Sequence, residues 1–260
     1  MLPKPMNYFN RNLVYILMYF FALNANAQVV VKKDSILKNQ NLKFSFKQLI
    51  IPSVLMSYGI IGLENDNLKL FNAIIKEEVN ENIDDKTTID DFSQYAPAAA
   101  VYILNFTGIK SKNNIRDRTI ILASSYLLVG TSVYALKKIT NIERPDGSSF
   151  NSFPSGHTAT AFAGAEFLWQ EYKDVSIWYG ISGYLVASGT GIFRIYNDKH
   201  WLTDVVMGAG IGILSTKIAY WMFPYINSKI FKSKKNTSTT MIAPFYNGNQ
   251  LGLGMMLHLD

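Results

Sequence analysis

A chain of 260 residues is long enough for one sizeable domain with its own core, and at 48% hydrophobic and only 17% charged it fits a membrane protein or a very apolar helical domain, because soluble domains carry about 25% charge. The formal net charge of +6 suits anionic lipid or a phosphorylated substrate, and the lack of a nucleic-acid module or of a basic stretch interleaved with aromatics argues against a nucleic-acid partner. There is no cysteine, which excludes disulfides, thiolate metal sites and a cysteine nucleophile.

In chain order, Lys4 and Arg11 precede an apolar run from Leu13 to Leu23, followed by Ala25-Asn26-Ala27. This is the basic, apolar, small-x-small pattern of a secretory signal with cleavage before Gln28; an uncleaved anchor is the alternative. A signal over 1–27 is expected, then a polar lead-in over 28–47, a helical domain over 48–228 and a basic linker with a β-like tail over 229–260. Six uncharged apolar segments recur: Gln48–Leu63, Phe92–Ile109, Thr119–Leu136, Thr158–Ala165 extending to Trp169, Val175–Phe193, and Val205–Thr216 resuming through Tyr225. Each is too long for a strand, so an all-α fold follows: a six-helix bundle with a C-terminal β-hairpin-like tail. The acidic connection over 64–92 has room for a short amphipathic helix around Leu68, Leu70, Phe71, Ile74 and Ile75. The small residues of Gly180–Gly183 and Gly208–Gly212 permit close helix approach, in a membrane or in a tight soluble core. In the tail, Thr240–Tyr246, the turn residues Asn247-Gly248-Asn249 and Leu251–Leu257 read as a hairpin.

Chemistry concentrates in three clusters. Lys137 closes the third apolar segment and Arg144-Pro145 follows seven residues later, so a continuing helix would put both cations on one side. Pro145 limits that continuation. Arg144 offers a planar fork for two phosphate oxygens and Lys137 a point charge, although basic residues at helix ends are also ordinary membrane anchors. Pro154-Ser155-Gly156-His157 opens the fourth segment. Ser155 is a good N-cap, exposed N–H groups at a helix start bind anions, and His157 beside such an anion can protonate a leaving oxygen. The plainer alternative is a capped helix start with an incidental histidine. Arg194, His200 and Asp204 form the third cluster. Four residues apart, His200 and Asp204 would share a helix face, and an aspartate on one ring nitrogen leaves the other free as a nucleophile. A structural His–Asp pair is the alternative. Metal ligation by His157, His200 and Asp204 is disfavoured because three nearby cations would repel the ion. His258, in the tail, is read as a bystander. Each cluster begins or ends an apolar helix, and an antiparallel bundle gathers such ends on one side.

These residues resemble the type 2 phosphatidic acid phosphatase and vanadium haloperoxidase superfamily, whose pattern is Lys-x6-Arg-Pro, then Pro-Ser-Gly-His, then Ser-Arg-x5-His-x3-Asp. Here it is met by Lys137 with Arg144-Pro145, by Pro154–His157, and by Arg194, His200 and Asp204. Phe193 departs from it, standing where the family has serine. The resemblance implies a phosphoric ester hydrolase in which His200 attacks phosphorus, Asp204 holds it and His157 protonates the leaving alcohol. Lys137, Arg144, Arg194, Ser155 and Gly156 then hold the phosphoryl oxygens. It also implies no metal and no cofactor, with vanadate acting as an inhibitor.

Six apolar helices point to a membrane lipid phosphate as substrate: phosphatidic acid, phosphatidylglycerol phosphate, a polyprenyl diphosphate or a lipid A headgroup. A small soluble ester and a vanadium-dependent haloperoxidase activity are the alternatives. The basic 110–118 loop prefers the cytoplasm, which faces the clustered helix ends outward, towards the periplasm. A cleaved signal would instead leave residues 28–47 outside, and these two readings conflict. The sequence gives no oligomeric state.

Overall fold

The computed structural model describes residues 44–80, 88–230, 238–246 and 251–259. The expected signal over 1–27 and most of the polar lead-in lie outside the described residues. Eight α-helices are present among those described: α1 (Ile50–Glu64), α2 (Asp66–Asn80), α3 (Ile89–Ser93), α4 (Ala96–Phe106), α5 (Ile115–Thr140), α6 (Gly156–Tyr172), α7 (Ile177–Tyr196) and α8 (Leu202–Ile230). A 3-10 turn, Phe46–Leu49, leads into α1. Strands β1 (Ser238–Tyr246) and β2 (Leu251–Leu259) pair antiparallel, with Ser238 opposite Leu259 and Tyr246 opposite Leu251. The expected hairpin is therefore present, and His258 pairs with Thr239 in it.

Helix forms over each of the six expected segments; of the two further helices, α2 lies in the acidic connection and α3 straddles the boundary between that connection and the second segment. The amphipathic stretch expected there is α2, whose start is fixed by Asn65 Oδ1 accepting the Leu68 N–H at 3.1 Å. The segment expected as one helix over Phe92–Ile109 divides into α3 and α4, with Pro97 in the first turn of α4. Proline lacks the N–H that a continuous helix would donate to Ser93, and its ring would collide with that carbonyl. Gly108, at φ +95°, then lies just past the end of α4.

Helix α6 is the hub, packing against α4, α5, α7 and α8, while α1 lies along α8. Most of α6 is buried, including Ala159, Ala161, Ala163, Ala165, Phe167 and Tyr172. Its contact with α8 is close because α8 carries glycines there. A Cβ on Gly208 would lie 2.5 Å from the Ser155 carbonyl oxygen, and one on Gly212 would lie 2.3 Å from that of Ala159. Small residues thus set the spacing of the two helices that carry the second and third clusters.

Among the described residues, three helices are long and apolar enough to cross a membrane: Phe46–Glu64, Ile115–Thr140 and Leu202–Lys229. Most of the apolar stretch in the first two faces outward, with Ile51, Val54 and Leu127 exposed. In water such a surface would be an aggregation hazard; in a bilayer it needs no partner. The domain is membrane-associated.

Candidate active site

Each sequence cluster falls at a helix end, and local chemistry explains why. Ser155 is the N-cap of α6, its Oγ accepting the Thr158 N–H at 3.4 Å and lying 2.9 Å from Thr158 Oγ1. Gly156 opens the helix, and a Cβ there would come no nearer than 3.6 Å to Val133, so the position is roomy rather than crowded. His157 follows, half-buried at the helix start.

Lys137 and Arg144 do not share a helix face. Helix α5 ends at Thr140, and Asn141 turns the chain with φ +48°. The two cations meet instead at Asn151. Lys137 Nζ donates to the Asn151 carbonyl and, at 3.3 Å, to that of Ser152, while Arg144 Nε donates to Asn151 Oδ1 at 2.8 Å. Loop residue Asn151 therefore does the converging that a continuous helix was expected to do.

His200 precedes α8 rather than lying on it, and Asp204 is the third residue of the helix. From there the Asp204 carboxylate reaches back to the Trp201 N–H at 2.9 Å, as a carboxylate in the first turn of a helix often does. The same oxygen, Oδ2, accepts from Ser152 Oγ. Thus anchored, it lies 3.6 Å from His200 Nδ1, a close contact beyond hydrogen-bond length. The expected pair is intact though its helical register is not. His200 is buried, and burial first, then the charges of Lys137 and Arg194, lower its pKa to about 4 against the opposing pull of Asp204. At neutral pH the ring is uncharged, the state in which an imidazole nitrogen is able to attack.

Arg194, at the end of α7, is buried, and its Nη1 donates to Asp90 Oδ2. Asp90 Oδ1 accepts from Asn197 Nδ2 at 3.0 Å. The buried Nε of Arg194 has no hydrogen-bond partner. Next to Asp90, Asp91 Oδ1 lies 2.9 Å from His157 Nε2. Burial and the nearby Arg194 lower the His157 pKa, while Asp91 and Asp90 oppose that shift. Arg194 also depresses the Arg144 pKa, the second cause there after burial. One guanidinium thus acts on both histidines and on the second arginine. Phe193, the departure from the family pattern, is half-buried and meets Tyr196 edge-on at 6.1 Å.

The aspartates of α3 were missed by sequence reasoning, which placed them in an acidic connector; an acidic pair opening an apolar segment was the available signal. Also missed was the packing of α2 over the site. Asn72 Nδ2 donates to Thr203 Oγ1 at 3.0 Å, and Lys76 donates to the Pro145 carbonyl at 3.0 Å. Beneath α2 lies a mostly apolar cavity of about 290 Å³ that reaches Asp204, with Leu63, Ala73, Ile142 and Trp201 among its walls.

Ligand atoms of Asp90, Asp91 and His157 fall within 4.8 Å of one another, a spacing a metal ion could use. Asp90 is already bonded to Arg194 and Asn197, and the guanidinium would repel a cation there.

Residues 118–228 match the family model of the PAP2 superfamily. Across that span, a little under half of its length, the chain is similar to the PAP2 superfamily. The matched span runs from within α5 to near the end of α8 and contains all eight predicted site residues. The chain is similar to a lipid A 1-phosphatase of Porphyromonas gingivalis, 39% identical over 172 residues, covering 63% of this chain and 39% of that protein. It is also similar to the bacitracin transport permease protein BcrC of Bacillus licheniformis, 32% identical over 77 residues, 30% of this chain and 36% of that one. The chain therefore spans well under half the length of these curated relatives. Two solved structures are similar. One is LpxE of Aquifex aeolicus, with 26% identity, a TM-score of 0.44, and 57% of this chain and 94% of that chain covered. The other is a transmembrane PAP2 type phosphatidylglycerolphosphate phosphatase of Bacillus subtilis, with 20% identity, a TM-score of 0.42, and 71% and 99% covered.

Proposed function

We propose that this chain is a membrane lipid phosphatase that works through a phosphohistidine on His200, without a metal cofactor. The observation that carries this reading is the gathering of Lys137, Arg144 and Arg194 around a buried, uncharged His200 backed by Asp204. His200 Nδ1 faces Asp204, so Nε2 attacks phosphorus. As the P–N bond forms, the P–O bond to the lipid breaks and His157 gives its proton to the leaving oxygen. Water then attacks the phosphohistidine and passes a proton to His157. The P–N bond breaks, and phosphate leaves. The three cations, with the backbone at Ser155 and Gly156, hold the phosphoryl oxygens as charge builds on them, where preorganised donors supply most of the rate.

The apolar cavity beside Asp204 suits the non-phosphate part of an amphiphile better than a small soluble ester. The lipid A 1-phosphatase likeness favours the phosphate of a glycolipid headgroup. The basic residues of the 110–118 loop, at the opposite end of α5 from Lys137, favour a site that opens towards the periplasm, an orientation that requires the apolar run near the N-terminus to be an uncleaved anchor or α1 not to span. The test is release of inorganic phosphate by the purified protein in detergent from a panel of lipid A, phosphatidic acid, phosphatidylglycerol phosphate, undecaprenyl diphosphate and glycerol phosphate. A lipid should be preferred, vanadate should inhibit, and EDTA should have no effect. Preference for glycerol phosphate would overturn the lipid assignment, and bromide oxidation stimulated by vanadate would overturn the phosphatase.

A further inference from the structure

The short helix α3 places two adjacent carboxylates on two different parts of the site. Asp90 is buried and committed to Arg194 and Asn197. Ser93 Oγ, one turn on, lies 2.8 Å from Thr190 Oγ1 of α7, so α3 is tied to the helix that carries Arg194. That leaves Asp91, whose Oδ1 is 2.9 Å from His157 Nε2. Their side chains are 54% and 29% exposed, so the contact sits at the rim of the site and not in its floor.

We propose that Asp91 is a positioning residue, whose carboxylate fixes the ring of His157 and favours its protonated form, leaving Nδ1 to donate to the departing oxygen. This rests on the phosphatase reading above. The groups facing His157 are few: Asp91 and Asp90 from α3, and Arg194 from α7. Arg194 opposes a charge on the imidazole, and Asp90 is shared with that same arginine. Asp91 is thus the carboxylate in direct contact with the ring, and without it His157 sits beside a guanidinium with little to hold its proton. The site then has two His–Asp pairs with opposite purposes. Asp204 serves a buried histidine that must stay neutral to attack, and Asp91 serves a half-exposed one that must arrive charged.

The experiment compares wild type, Asp91→Asn, Asp91→Glu, His157→Ala and His200→Ala on two substrates in detergent micelles. One is dioctanoyl phosphatidic acid, whose alkoxide must be protonated to leave; the other is p-nitrophenyl phosphate, whose phenolate leaves without help. In Asp91→Asn, the basic limb of kcat on the lipid should move about one pH unit lower, as expected for loss of an opposite charge at this range. At neutral pH, kcat should fall about tenfold more on the lipid than on the nitrophenyl ester, with KM little changed. His157→Ala should show the same substrate contrast, larger, and Asp91→Glu should recover part of the loss. An equal fall on both substrates with the basic limb unmoved, in protein of unchanged melting temperature, would overturn the proposal and leave Asp91 a structural residue. Activity surviving in His200→Ala would overturn the phosphohistidine reading itself, whatever Asp91 does.

Discussion

The two ends of α6 hold buried charge in different ways. Glu166 and Glu171 lie 9 and 14 residues beyond His157, roughly 13 and 21 Å along the helix axis. Both are buried, and both are saturated with donors. Glu166 accepts from Gln170, Lys217 and Tyr184, while Glu171 accepts from Asn113 twice and from Tyr220. At the other end Lys137, Arg144 and Arg194 come together; of the buried carboxylates there, Asp90 is bonded to Arg194, while Asp204 accepts from Ser152 and the Trp201 N–H. His200 Nδ1 and Arg194 Nε are buried there without a hydrogen bond. An orphan atom alone does not mark a site, since Arg118 Nε lacks a partner too. The difference lies in the pairing, since the side chains of Lys137 and Arg144 bond, among the described residues, only to Asn151 and Ser152 and to no carboxylate. A satisfied network specifies packing, whereas cations held together without a carboxylate bonded to each are poised for an anion.

The contrast implies that the site end can lose chemistry without losing the fold, and that the far end does the reverse. The largest effect expected is in His200→Ala. Removing the attacking nitrogen should lower kcat by at least about 10⁴-fold, with the melting temperature in detergent held or raised, because an unsatisfied buried ring is gone. Collapse of the fold with that substitution would break the comparison. Next comes Glu166→Ala. It leaves the Lys217 ammonium buried with no carboxylate in contact, a loss of about 4 kcal/mol in stability. Turnover per folded molecule should stay near wild type, as read by activity normalised to the folded fraction. A fall in turnover without a fall in stability would mean that the far network reaches the chemistry.

The sequence showed the site more plainly than the scaffold around it. Lys137, Arg144, Ser155, Gly156, His157, Arg194, His200 and Asp204 could be singled out because the proposed phosphoryl transfer would demand particular residue types at particular spacings. The reasons given for their convergence were partly mistaken. Lys137 and Arg144 meet through Asn151, not through two helical turns, because Asn141 ends α5 in a left-handed conformation. His200 and Asp204 meet across a helix start. Partners such as Asp90, Asp91, Asn151 and Ser152 were not legible, since a carboxylate or an amide in a polar loop carries no mark of what it will touch. Contacts such as Asp90 to Arg194 span 104 residues and exist only once α3 has docked on α7. Helix existence was readable from apolar run length. The break between α3 and α4 was readable only from Pro97, whose effect on the turn before it was overlooked.

Acid should separate the two ends a third way. The ordinary histidine value of 6.5 falls to about 4 for His200 in the fold. Between those values the unfolded chain binds a proton that the folded one refuses, so unfolding takes up protons and stability falls as pH falls through that window. Above about 6.5 both states are neutral and the effect vanishes; at its full extent it is about 3 kcal/mol. Melting temperature in detergent should therefore drop from pH 6.5 to pH 4, and His200→Asn should flatten that slope. An unchanged slope in His200→Asn would place the acid sensitivity elsewhere in the molecule.

The smallest effect, and the sharpest test of the crowded end, is in Arg194→Lys. Charge is conserved, so any reading in which Arg194 merely neutralises phosphate leaves turnover nearly intact. The geometry says otherwise. The guanidinium gives Nη1 to Asp90 and has a buried Nε without a hydrogen-bond partner, while acting on His157, His200 and Arg144. A lysine ammonium is a single point that cannot hold Asp90 and a phosphoryl oxygen in fixed directions together. Turnover should fall about 100-fold, equivalent to about 2.7 kcal/mol in the barrier. The fall should appear in kcat more than in KM, because the ground-state charge is unchanged. If KM alone rises, Arg194 binds substrate without favouring its transition state, and the clustered cations at this end serve capture rather than catalysis.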